Sequence, residues 1–126
     1  MPAAACSMYS GSRMEYEISP HDLHAKLKEV APGNDAGSVC LLDVRESWEC
    51  STAAIPGSRS IPMGDIPSRA NQELDPDAHI VVYCHRGMRS LSVALWLREQ
   101  GFPRAQSLSG GIDAWAEKID PSMPRY

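Results

Sequence analysis

The sequence lacks the cysteine spacings that mark a zinc site or a redox-active pair. Its four cysteines, none of which belongs to a C-x-x-C motif, are Cys6, Cys40, Cys50 and Cys84. Their wide separation matches no pattern of zinc ligands. Such cysteines are typical of free thiols in a reducing compartment, so we expect no disulfide, no bound metal and a cytoplasmic protein.

Long hydrophobic runs are also absent. No stretch approaches the ~20 consecutive apolar residues that a membrane-spanning helix needs, and residues 1–14 lack the apolar segment of a signal peptide. We expect this leader to be disordered, since it is rich in small residues. The length of 126 residues suits one domain, predicted at residues 15–118, with an extended tail over residues 119–126.

Positive charge is scarce overall but is concentrated in one segment. The formal net charge is −4, which gives no reason to expect a nucleic-acid or membrane partner. Acidic residues are absent between Asp77 and Glu99, where Arg86, Arg89 and Arg98 lie. This segment is therefore locally positive within an acidic protein, which suits a small anionic substrate.

Apolar runs alternate with helical patterns along the chain. Two continuous apolar runs, 39–44 and 79–83, are typical of parallel strands buried on both faces. Shorter strands are predicted at 16–18 and at 105–108, and the turn at 55–62 is predicted to lead into a very short strand. Helices are predicted to begin at Pro20, with Ser19 as the N-cap, and at Gly64, Ser90 and Gly111. This repetition predicts an α/β fold with helices on both faces of a parallel sheet. Ligands of such sheets bind outside the carboxyl ends of the strands.

Cys84 follows the second apolar run and opens a loop that we interpret as the active site. The helix after the loop carries partial positive charge at its N-terminus, and Gly87 allows successive backbone N–H groups to form an anion-binding nest. A free cysteine has a pKa of about 8.5 and is mostly thiol at neutral pH. The amides and nearby arginines predict a lowered pKa and a nucleophilic thiolate at Cys84.

The sequence indicates the roles of the other side chains in this loop less clearly. Arg86 is predicted to face solvent and to contact a substrate or a partner. Arg89 is predicted to bind an anion or to brace the loop. Met88 suits either an apolar wall at the mouth of the site or simple packing, and the sequence assigns no role to His85.

Four motifs, taken in order, resemble the rhodanese (thiosulfate sulfurtransferase) family. Asp43-Val44-Arg45-Glu46 is similar to its D-V-R-E motif, and Ile55-Pro56-Gly57-Ser58 with Ile61-Pro62 is similar to its I-P-G-A-x-x-I-P motif. Residues 84–90 resemble its C-x-x-G-x-R-S loop, and residues 110–115 resemble its G-G-x-x-A-W motif. Each motif is a weak indication by itself, but the four in order make a specific one.

The resemblance implies a rhodanese-like five-stranded parallel sheet flanked by helices and a two-step reaction that needs no cofactor. Cys84 would take the outer sulfur of a small anionic donor such as thiosulfate and hold it as a persulfide. A thiophilic acceptor, such as cyanide, a thiol or a protein, would then remove that sulfur. Arg45 and Arg89 are implied as anion ligands or loop braces, and Asp43 as the partner of one of them.

Three alternatives stand beside this interpretation. Phosphatases and arsenate reductases of related fold use a longer loop, C-x5-R, than the six residues from Cys84 to Arg89, so the loop length favours sulfur. Rhodanese-like domains that only bind partners usually have another residue in place of the cysteine, which this chain keeps. A redox-sensing thiol would need a resolving cysteine, and the sequence identifies none.

Overall fold

The computed structural model describes residues 15–29 and 39–125. These residues form a five-stranded parallel sheet with helices on both faces, which confirms the predicted fold class. The predicted leader, residues 1–14, lies outside the described residues. Within the described part of the chain, no helix is both long enough and apolar enough to cross a bilayer.

Strands and helices follow one another in the predicted order. Their bounds are β1 (Glu17–Ile18), α1 (Pro20–Glu29), β2 (Val39–Asp43), α2 (Ser47–Thr52), β3 (Arg59–Ser60), a 3-10 turn (Met63–Asp65), α3 (Ile66–Glu73), β4 (His79–Tyr83), α4 (Met88–Glu99), β5 (Ala105–Leu108) and α5 (Gly111–Lys118). The order of strands across the sheet is β1-β5-β4-β2-β3, which makes β4 the central strand.

Two apolar layers cover the two faces of the sheet, because successive residues of a strand point to opposite sides. On one face, Leu42 and Val82 belong to a cluster with side chains of α3 and α4. On the other face, Leu41 and Val81 belong to a cluster with side chains of α1 and α5. Every residue of β4 is buried, as its continuous apolar run predicts.

The register of β2 against β4 places the two main motifs beside each other. Asp43 pairs with Tyr83 at the carboxyl ends of these strands. Val44, the residue that follows β2, donates its N–H to the Tyr83 carbonyl at 3.1 Å. Cys84 and Arg45 therefore both leave the sheet at the same edge.

The C-terminal segment folds back on the domain, whereas its two prolines suggest an extended tail. The Met123 N–H donates to the Asp120 carbonyl at 3.0 Å, which closes a turn. Met123 is buried in the layer that contains α5, and Arg125 forms an ion pair with Asp113 at 3.0 Å. The turn is favoured because it brings an apolar side chain out of water.

Candidate active site

Cys84 lies at the carboxyl end of β4 with its sulfur surrounded by donors from its own loop. The side chain is almost fully buried. Its Sγ accepts the backbone N–H of Gly87 at 3.1 Å and that of Ser90 at 3.4 Å. The Ser90 hydroxyl oxygen lies 3.5 Å from the same sulfur. Two backbone N–H groups and one hydroxyl thus surround a single buried sulfur atom.

Two opposing effects set the pKa of the Cys84 thiol. Burial raises the pKa, because the thiolate loses its hydration. The hydroxyl of Ser90 and the amides of Ser90, Gly87 and Arg86 lower it by donating hydrogen bonds to the sulfur. The donors prevail, so the pKa lies below the ordinary value of a cysteine and the thiolate is favoured.

The other two cysteines that the structure describes behave in the opposite way. Burial raises the pKa of Cys40, which lies in β2. Burial also raises the pKa of Cys50, whose Sγ lies 3.3 Å from a carboxylate oxygen of Asp43. Of the described thiols, Cys84 is the only one whose pKa is lowered, because its hydrogen-bond donors outweigh the effect of burial.

Gly87 has the backbone conformation that turns the loop amides inward. Its φ is +107°, in the left-handed region that residues with a side chain rarely adopt. A Cβ at this position would also lie 3.3 Å from the backbone nitrogen of Gly110. The loop therefore needs glycine here both for its turn and for the close approach of the chain segment before α5.

The G-G-x-x-A-W segment holds the loop from outside. The N–H of Ile112 donates to the Cys84 carbonyl at 2.9 Å, and that of Asp113 donates to the His85 carbonyl at 3.0 Å. A Cβ on Gly111 would lie 2.5 Å from both of these carbonyl oxygens. Because the first turn of α5 binds the loop carbonyls, the loop N–H groups are left to face the sulfur.

Asp43 and Arg45 form a buried ion pair next to the loop. The Asp43 carboxylate accepts the Nε of Arg45 at 2.8 Å and its Nη2 at 2.6 Å, and both side chains are fully buried. Arg45 also donates to the carbonyl of Glu49 within α2 and to that of Ala53, the residue that follows the helix. This arrangement ties the D-V-R-E segment to the helix that follows it.

Arg89 is bound by a carboxylate that the sequence interpretation missed. Its two terminal nitrogens each donate to one oxygen of Glu49 at 2.9 Å. Glu49 is buried in α2, whereas Arg89 is 36% exposed. The Glu46 N–H donates to Glu49 as well, at 3.0 Å, and the two glutamates complete a capping box. A glutamate at the third position of a helix, as Glu49 is, is typical of a capping box, but no local signal pointed to Arg89.

We expect Glu49→Gln to lower the free energy of unfolding by roughly 2 kcal/mol, below the ~3–5 kcal/mol of a fully buried pair because water reaches Arg89. Urea unfolding at neutral pH would measure the change. Glu73→Gln is the matched control, since Glu73 forms a similar two-point pair with Arg69 at the surface. Equal unfolding midpoints for the two variants would show that the Glu49 pair adds no more stability than the surface pair does.

The remaining side chains of the loop lie near its outer surface. Arg86 is exposed and Met88 is 83% exposed, while His85 is half-buried. The structure thus brings the backbone N–H groups of Gly87 and Ser90 into a cradle around the Cys84 sulfur. It places the side chains of Arg86 and Met88 where an incoming molecule can reach them.

Comparison with known proteins agrees with the motifs and with the geometry. The family described as "Rhodanese-like domain" matches residues 19–118. YtwF of Bacillus subtilis, described as a putative sulfurtransferase, is 39% identical over 77% of this chain and 90% of that protein. A chloroplastic rhodanese-like/PpiC domain-containing protein of Arabidopsis thaliana is 35% identical over 87% of this chain. The chain spans 37% of the length of that relative.

A solved structure shows the same arrangement of strands and helices. The human single-domain sulfurtransferase TSTD1 superposes with a TM-score of 0.68 at 25% identity, over 83% of this chain and 98% of that one. The family match covers all four sequence motifs, including the Cys84 loop. On this basis, the chain belongs to the rhodanese-like domain family.

Proposed function

We propose that this protein is a sulfurtransferase that carries a sulfane sulfur on Cys84. The Cys84 thiolate attacks the outer sulfur of a donor such as thiosulfate, and a new S–S bond forms. The S–S bond of the donor breaks, and sulfite leaves with the electron pair. An acceptor nucleophile then attacks the outer sulfur of the persulfide, which breaks the S–S bond and restores the thiolate.

One observation carries the proposal: a buried cysteine sulfur accepts hydrogen bonds from the N–H of Gly87 in its own loop and from that of Ser90 in the first turn of α4. The same amides can stabilise the negative charge of a thiolate and then that of a persulfide, so the charge is compensated throughout the cycle. The names of the Bacillus and human relatives, both sulfurtransferases, support the same reaction class.

We assign the binding of an anionic donor to Arg86 and the loop amides. The charges of Arg45 and Arg89 are compensated by the carboxylates of Asp43 and Glu49, so we assign these two arginines to bracing. Arg86 is exposed on the loop that holds the nucleophile. A guanidinium in that position attracts a small anion and can bind its oxygen atoms.

We assign the second step to a thiophilic acceptor, whether cyanide, a small thiol or a protein. Met88 is 83% exposed and lies four residues after the nucleophile, so its apolar side chain is available to an acceptor that approaches the loop. An exposed methionine suits contact with varied partners because its side chain is flexible and polarizable.

The short loop and its close fit around the sulfur favour sulfur transfer over phosphatase activity. The cradle formed by Gly87 and Ser90 closes directly on the sulfur of Cys84, at 3.1 and 3.4 Å. A phosphoryl group needs several donors around its three outer oxygens, beyond the sulfur itself. We therefore expect negligible hydrolysis of phosphate esters.

Mass spectrometry of the intact protein and of its peptides tests the proposal. After incubation with thiosulfate, we expect Cys84 to gain the mass of one sulfur atom and to lose it when cyanide is added. Cys40 serves as an internal control, since burial raises the pKa of its thiol. If Cys84 stays unmodified with thiosulfate and with a panel of persulfide donors, the chain is not a sulfurtransferase.

A further inference from the structure

Ser107 is a fully buried hydroxyl on the face of the sheet that packs against α4. It lies in β5 and pairs in register with Val82, two residues before Cys84. Its neighbour on the same face, Ala105, belongs to the apolar layer of this side. A buried polar side chain in such a layer needs a hydrogen-bond partner.

That partner is the hydroxyl of Ser90, the residue that also contacts the catalytic sulfur. The two hydroxyl oxygens of Ser107 and Ser90 lie 2.7 Å apart. From the Ser90 oxygen, the Cys84 sulfur is 3.5 Å away and the Gly87 carbonyl is 3.3 Å away. The three side chains therefore form a continuous chain that leads from the core of the sheet to the nucleophile.

The number of hydroxyl protons determines which residue donates in each of these hydrogen bonds. Each hydroxyl has one proton to donate. Within the described part of the protein, the hydroxyl of Ser107 has the Ser90 oxygen as its sole hydrogen-bond partner. A buried donor is rarely left unpaired, so Ser107 donates to Ser90. The proton of Ser90 is then available for the Gly87 carbonyl or for the Cys84 sulfur.

We propose that Ser107 is a positioning residue, whose donated hydrogen bond reserves the Ser90 proton for the Cys84 thiolate. While Cys84 is a thiol, the Ser90 hydroxyl donates to the Gly87 carbonyl. When the thiolate forms, the hydroxyl turns to the sulfur, and Ser107 continues to donate to the Ser90 oxygen. Hydrogen bonds in such a chain polarise one another, so Ser107 strengthens the bond from Ser90 to the sulfur.

The inference rests on the proposed function in one respect, since it takes the Cys84 sulfur as the reacting atom. Its test measures the thiol directly, through the pH dependence of alkylation of Cys84 by iodoacetamide, followed on the Cys84 peptide. A failure of sulfur transfer would leave this measurement intact, so the two proposals can fail separately.

We expect Ser90→Ala to raise the pKa of Cys84 by about one unit, the scale of one hydrogen bond to a charged group. Ser107→Ala should raise it by roughly a third of a unit, since one link of the chain is lost. In the Ser90→Ala background, Ser107→Ala should cause no further shift, because Ser107 acts through Ser90.

A second pair of variants separates the hydroxyl from the shape of the side chain. Ser107→Thr keeps the hydroxyl, so its Cys84 pKa should match that of the unmodified protein. Ser107→Val has the shape of threonine but no hydroxyl, so its Cys84 pKa should match that of Ser107→Ala. Equal pKa values of Cys84 in the threonine and valine variants would overturn the proposal. A shift by Ser107→Ala that is equally large with and without Ser90 would also overturn it.

Discussion

Cys84→Ser is expected to lower sulfur transfer by at least about a thousandfold, the scale seen when a covalent nucleophile is removed. A serine hydroxyl does not ionise near neutral pH and cannot hold a sulfane sulfur as a persulfide. The change should leave the fold intact, since the serine oxygen can accept the same N–H groups of Gly87 and Ser90 that the sulfur accepts. Release of sulfite from thiosulfate in the presence of cyanide would measure the rate.

Cys40→Ser is the control, because it removes a described thiol whose pKa is raised by burial. Its turnover should equal that of the unmodified protein. If Cys84→Ser keeps its turnover, the nucleophile is elsewhere. If Cys84→Ser loses its turnover but keeps its full effect in cells, the protein acts there as a binding module.

Gly111→Ala is expected to lower turnover by about a hundredfold, because displacement of a reacting group by about 1 Å has effects of that size. The added Cβ would lie 2.5 Å from the carbonyl oxygens of both Cys84 and His85, so the loop has to move. The φ of +63° adds strain. Together, overpacking and strain should lower the free energy of unfolding by about 3 kcal/mol. Moving the amides from the sulfur should also raise the pKa of Cys84.

Substitutions at two other glycines separate the effect of backbone strain from that of overpacking. Gly101 has a φ of +101°, but a Cβ added there would meet nothing within 4 Å, so Gly101→Ala tests strain alone. Gly64 has neither a positive φ nor a close neighbour. We expect Gly101→Ala to cost about 1 kcal/mol of stability without loss of turnover, and Gly64→Ala to change neither. Should Gly111→Ala keep both its turnover and the low pKa of Cys84, α5 does not position the loop.

Much of the fold was predictable because the central strands carry a strong local signal. The continuous apolar run 79–83 matches β4 residue for residue, and the predicted bounds of β5 and the predicted start of α5 also agree with the structure. The predicted first residues of two helices were less accurate. The helix predicted from Gly64 begins at Ile66, because residues 63–65 form a 3-10 turn. The helix predicted from Ser90 begins two residues earlier, at Met88.

The backbone environment of the Cys84 sulfur was predictable for the same reason, whereas the contacts with distant segments were not. Cys84, Gly87 and the start of α4 are close in sequence, so the strand–loop–helix pattern already implies that amides face the sulfur. The partner of Arg89 lies 40 residues away at Glu49, and Ser107 lies 17 residues from Ser90. Such contacts depend on the order of strands and on their register, which no local pattern contains.

By itself, the sequence determined the fold class, the family resemblance and the thiol that we propose as the nucleophile. These follow from local order, in which a buried strand ends at Cys84 and a glycine-containing loop leads into a helix. Only the tertiary structure decided what surrounds that thiol. Folding pairs Arg45 with Asp43, binds Arg89 to Glu49 and brings a second hydroxyl to Ser90. The physical reason is that burial leaves every charge and hydroxyl in need of a partner, and the packing of distant segments determines which partner is within reach.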